Sequence, residues 1–85
     1  MTDRLEHRIR DLVSELFLSG DASLVPEPET DLLAAGICDS LGLVRLASSL
    51  EQAFSGLTIQ DQDVTPEKLG SLRAIATFVR DAGLS

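Results

Sequence analysis

The chain has 85 residues and a formal net charge of −7, with one His, one Cys, no Tyr and no Trp. A chain of this length buries only about 60–65% of its unfolded surface, so a deep enzyme pocket would consume much of its one core. The inventory assembles neither a metal cluster nor a Ser-His-Asp set, and the acidic balance disfavours nucleic acid and anionic membranes as partners.

Leu5, Ile9, Leu12, Val13, Leu16 and Phe17 recur at helical spacing and predict an amphipathic helix from about Asp3 to Leu18, closing at Ser19-Gly20. His7, between Glu6 and Arg8, is expected to be solvated. Asp3, Arg4 and Glu6 argue against a signal peptide. A long loop follows, stiffened by Pro26 and Pro28 and expected to be pinned to the core by Leu24, Leu32, Leu33 and Ile37. Its uncharged run, Leu32 to Cys38, is far too short for a membrane span. Cys38 has no partner for an intramolecular disulfide, which fits a reducing cytoplasm, and is read as a small half-buried hydrophobe.

The second helix is expected from Ser40 or Leu41 to about Phe54. Leu43, Leu46, Ala47, Leu50 and Phe54 form its core face. Leu41, Val44, Arg45 and Ser48 form a second face, a candidate partner surface; the alternative is that Leu41 and Val44 widen the buried stripe. Ile59 and Val64 lead toward the core through an acidic connection, and Asp61 to Glu67 is a plausible second contact region.

Thr65-Pro66-Glu67 starts a short helix, with Thr as N-cap and Pro at the first helical position, reaching about Leu69. Ser71 then caps a fourth helix whose Leu72, Ile75, Ala76, Phe78 and Val79 face inward. Arg80 sits in its last turn, where a cation suits the dipole, and Gly83 follows its end. The result is an all-α chain read as one domain over residues 1–85.

Asp39-Ser40-Leu41 stands where the acidic loop meets the second helix. A helix start leaves its first N–H groups without intrahelical partners and carries about half a positive charge, which favours a phosphate ester by roughly 0.3–1 kcal/mol. By residue type alone, either Asp39 or Ser40 can be a simple N-cap. The capping box is incomplete, because three residues beyond them stand Gly42 and Leu43.

This tripeptide resembles the phosphopantetheine attachment site of acyl and peptidyl carrier proteins. The order of elements matches their four-helix bundle, three main helices plus one short one, with a long loop between the first two. The resemblance implies a non-catalytic carrier. On it, a phosphopantetheinyl transferase would move a 4′-phosphopantetheine arm from coenzyme A onto Ser40, beside Asp39, and the arm's thiol would hold an acyl or aminoacyl thioester. It also implies an adenylating ligase or acyltransferase that loads the arm and a downstream transferase or synthase. The carrier itself is expected to be a cytoplasmic monomer that binds no metal.

Peptidyl carriers usually show a glycine pair before the acid-serine or histidine-serine step, where Ile37 and Cys38 stand here. Fatty-acid carriers usually place acids along the second helix, where Gly42 and Arg45 occupy two of those positions. Gly36 to Gly42 is closer to the D-alanyl carrier pattern, and the Thr65-Pro66 step is similar too. Standalone aminoacyl or acyl carriers of secondary-metabolite pathways, including antibiotic pathways, look much the same. A polyketide or fatty-acyl cargo stays open, as does an unmodified helical adaptor that binds through Leu41, Val44 and the acidic loop.

Overall fold

In the computed structural model, which describes residues 4–83, the chain folds into α1 (Arg4–Phe17), α2 (Ser40–Ala53), the short α3 (Pro66–Leu69) and α4 (Leu72–Asp81). Two 3₁₀ turns, Ala22–Leu24 and Asp61–Asp63, interrupt the connections. There is no strand among the described residues. The all-α carrier-type bundle expected from the sequence is the observed architecture. The expected start of α1 at Asp3 lies outside the described residues.

Each helix obeys its local signals. α1 buries Leu5, Ile9 and Val13 and ends where Ser19 and Gly20 turn left-handed, at φ 55 and 80. α2 buries Leu43, Leu46, Ala47 and Leu50, with Phe54 buried at its C-cap. Thr65 Oγ1 accepts from the Lys68 N–H at the start of α3, and Ser71 Oγ accepts from the Ala74 N–H at the start of α4. α4 packs against α1 and α3, while α2 contacts both α1 and α3. Ile9, Leu46, Leu50, Leu69 and Ile75 meet at the centre with no exposed surface.

The loop from α1 to α2 is held by backbone as well as side chains. The Leu32 N–H donates to Gly70 O (2.7 Å) and the Arg73 N–H to Pro28 O (2.9 Å), so the loop is tied to the α3–α4 junction on both sides. Leu32 is fully buried, with Leu33 and Ile37 half-buried beside it. Leu24 departs from expectation: it is 58% exposed. Asp21 accepts hydrogen bonds from both the N–H and the hydroxyl of Ser23, tightening the 3₁₀ turn, and Val25 packs on the core while Leu24 stays in solvent. Cys38 is more buried than expected, because its N–H turns inward to Leu32 O and it lies against Gly42.

One long-range contact had no sequence signal. Arg8 of α1 donates to Ala53 O, the last carbonyl of α2 (2.7 Å), and its guanidinium lies 4.3 Å from the centre of the Phe54 ring. A cation at a helix C-terminus satisfies an orphan carbonyl and the macrodipole together.

Candidate functional site

The start of α2 is built from three constraints. The Ile37 and Cys38 N–H groups both donate to Leu32 O, which aims the end of the loop at the helix. Asp39 takes an extended conformation (φ −119, ψ −172), and its Oδ1 accepts from the Gly42 N–H at 2.7 Å. Gly42 is the third constraint: a Cβ there would lie 3.1 Å from both Cys38 Cβ and the Phe17 ring and 3.2 Å from Asp39 Oδ1. A bare Cα lets the first turn of α2 sit against α1 and against its own cap.

These contacts settle which residue caps the helix. Asp39 is the N-cap and Ser40 is the first helical residue. At α3 and α4 a hydroxyl, that of Thr65 or Ser71, is consumed in capping. At α2 a carboxylate does that work, and the Ser40 side chain is left exposed and without a hydrogen bond among the described residues. The Ser40 and Leu41 N–H groups are likewise unpartnered there. The site is a free hydroxyl beside two open backbone donors at the positive end of a 14-residue helix.

Two hollows flank Ser40. One, of about 350 Å³, runs between α2 and α3 and is lined by Ser40, Leu43, Val44, Asp61, Val64 and Pro66. The other, of about 580 Å³, lies between α2, the loop and the end of α1, with Phe17, Leu33, Ile37, Leu41 and Arg45 on its walls. Leu41 is 75% exposed and Val44 56%, so neither widens the core stripe; Arg45 and Ser48 are exposed on the same side of the helix. Glu51 follows Ser48 along the helix, two turns beyond Val44, its carboxylate accepting from the Ile59 N–H at 2.9 Å.

Burial pushes the Cys38 thiol above its ordinary range, and the Asp39 and Asp31 charges push it further. It is the packed floor beneath the cap, and its raised affinity for the proton makes it a poor nucleophile. His7 is exposed. No helix among the described residues is long and apolar enough to cross a membrane.

The family model for the phosphopantetheine attachment site matches residues 7–79, which takes in α1, the loop, α2, α3 and most of α4. The chain belongs to this family. No curated protein and no solved structure matches it. As a phosphopantetheine attachment domain it is a carrier for a 4′-phosphopantetheine arm. Domains of this family work with a phosphopantetheinyl transferase and with the enzymes that act on the arm's cargo.

The six residues singled out in the sequence, Asp39, Ser40, Leu41, Val44, Arg45 and Ser48, are all exposed, at the cap of α2 and along its first turns. Sequence reasoning missed the packing role of Gly42 and the Glu51 tether to Ile59. The first had a trace in the sequence, a glycine in the opening turn of a helix, where helix propensity alone disfavours it. The second had none.

Proposed function

We propose that Ser40 is the residue to which the 4′-phosphopantetheine arm is joined, and that the chain is a non-catalytic carrier of an aminoacyl or acyl group for a dedicated biosynthetic pathway. The observation that carries this reading is the division of labour at the start of α2: Asp39 does the capping, so the Ser40 hydroxyl is exposed and uncommitted. The chain's residues fit a phosphodiester there. The open N–H groups of Ser40 and Leu41 and the helix dipole favour an anion, while Asp39 is already engaged by Gly42. The arm itself supplies a terminal thiol that holds the cargo as a thioester, activated for transfer. What the protein contributes is a fixed origin for that arm and exposed flanks on which enzymes dock.

The D-alanyl-like run from Gly36 to Gly42 supports an aminoacyl cargo. A polyketide or fatty-acyl cargo is the second reading, supported by the apolar Leu43, Val44, Val64 and Pro66 that line the hollow beside Ser40 together with Asp61. On either reading an adenylating ligase or acyltransferase loads the arm, and a transferase or synthase unloads it.

The test is intact mass after incubation with coenzyme A and a broad-specificity phosphopantetheinyl transferase. Wild type should gain one phosphopantetheinyl unit and Ser40→Ala none. A folded wild type that gains nothing refutes the proposal and favours an unmodified adaptor; a gain by Ser40→Ala moves the attachment elsewhere.

A further inference from the structure

Among residues 11–67, Arg45 is the sole cation, in a chain whose net charge is −7. Its surroundings give it no electrostatic partner. Lys68 pairs with Asp63, Arg73 with Glu29, and Arg8 is spent on Ala53 and Phe54. Arg45 is exposed and makes no ion pair or hydrogen bond among the described residues. It lies just over one turn beyond Ser40, and its neighbours on the outward face are Leu41 and Val44, the two large exposed apolar residues of α2. No acid stands on α2 before Glu51, and that carboxylate is held by the Ile59 N–H. Along α2 itself, the strip beyond Ser40 thus carries apolar side chains and one unpaired positive charge, while acids stand only on its borders, Asp39 in the hollow that Arg45 lines and Asp61 in the one beside Val44.

A surface of that kind is selective by charge. A partner that brings a cation to the second turn of α2 desolvates two like charges against each other, and such juxtaposition is among the stronger forms of discrimination at an interface. A carboxylate at the same point meets a guanidinium with all its donors free, beside the exposed Leu41 one turn before it. Resting on Ser40 as the attachment point, we propose that Arg45 is a specificity-determining residue. It admits enzymes that present a carboxylate next to an apolar recess for Leu41, and turns away enzymes whose docking face is basic there.

The test crosses charges on both sides. The probe is one phosphopantetheinyl transferase with a basic residue facing the second turn of its carrier's helix, together with the same enzyme carrying Glu at that residue. Each is assayed for arm transfer to wild type, Arg45→Glu and Arg45→Gln. Wild type should favour the Glu enzyme, and Arg45→Glu the basic one, each by about tenfold, expressed in KM rather than kcat and shrinking as salt is raised. Arg45→Gln should fall between the two on both enzymes. Thermal melting of all three carriers should nearly coincide, because Arg45 is exposed and makes no hydrogen bond or ion pair among the described residues. Arm transfer to Ser40 that proceeds with no crossed preference overturns the role of Arg45 and leaves the attachment site standing. Failure of wild type to accept the arm from either enzyme overturns both.

Discussion

The Asp39 cap is the mechanical basis of the site, and its removal has a calculable consequence. Asp39 Oδ1 accepts from the Gly42 N–H at 2.7 Å, a short charge-assisted bond, and Gly42 is buried against Cys38 and Phe17. In Asp39→Ala that N–H loses its acceptor where water enters poorly, so the loss belongs in the upper part of the N-cap range, about 1–2 kcal/mol. For a domain of this size each kcal/mol lowers Tm by about 4–8 °C, so thermal unfolding followed by circular dichroism should show a drop of roughly 5–15 °C. Asp39→Asn keeps an oxygen acceptor and should lose only a few tenths of a kcal/mol. Ser40→Ala, whose hydroxyl bonds nothing, should melt within about 0.5 kcal/mol of wild type while accepting no arm. Equal losses for Asp39→Ala and Asp39→Asn would refute the hydrogen-bond account and assign the effect to charge and dipole. An Asp39→Ala that melts with wild type would remove the cap from the explanation altogether.

Arg8→Ala should cost about 1–2 kcal/mol in urea unfolding, from the bond to Ala53 O and the stacking on Phe54, with Arg8→Lys recovering only part because an ammonium lacks the planar fork; a neutral Arg8→Ala contradicts this. Gly70→Ala should destabilise by about 2 kcal/mol or more, since its Cβ would lie 2.2 Å from Pro66 O and the shift required would disturb the Leu32–Gly70 bond; a loss under about 0.5 kcal/mol in the same assay refutes it. The Cys38 thiol has a folded-state pKa raised by burial, so its contribution is fully present below the ordinary thiol range and is lost as pH rises through the raised value. Unfolding free energy should therefore fall above roughly pH 8.5, a slope absent from Cys38→Ala, and iodoacetamide should modify Cys38 slowly until urea unfolds the protein.

Much of the site's local structure was legible because it depends on short-range geometry. The core stripe of α2, the Thr65-Pro66 start and the Ser71 cap follow from helical spacing and from side chains that reach their own backbone three residues on. Leu41 and Val44 were ambiguous in the sequence, since a stripe's width is set by what packs against it; α1 and α3 leave both residues in solvent.

By itself the chain's order of residues determined that there would be helices, where they would begin and end, and that a hydroxyl would stand at the head of the central one. Only the tertiary structure decided that Asp39 rather than Ser40 does the capping, because the Leu32 carbonyl and the Phe17 ring fix where the first turn starts. Likewise it turned Leu24 out and Leu32 in, and spent Arg8 on a carbonyl 45 residues away while leaving Arg45 unpaired. Periodicity and capping act over a few residues of chain and are written there. Which hydroxyl or charge stays free depends on neighbours distant in sequence, and those meet only once the core has closed.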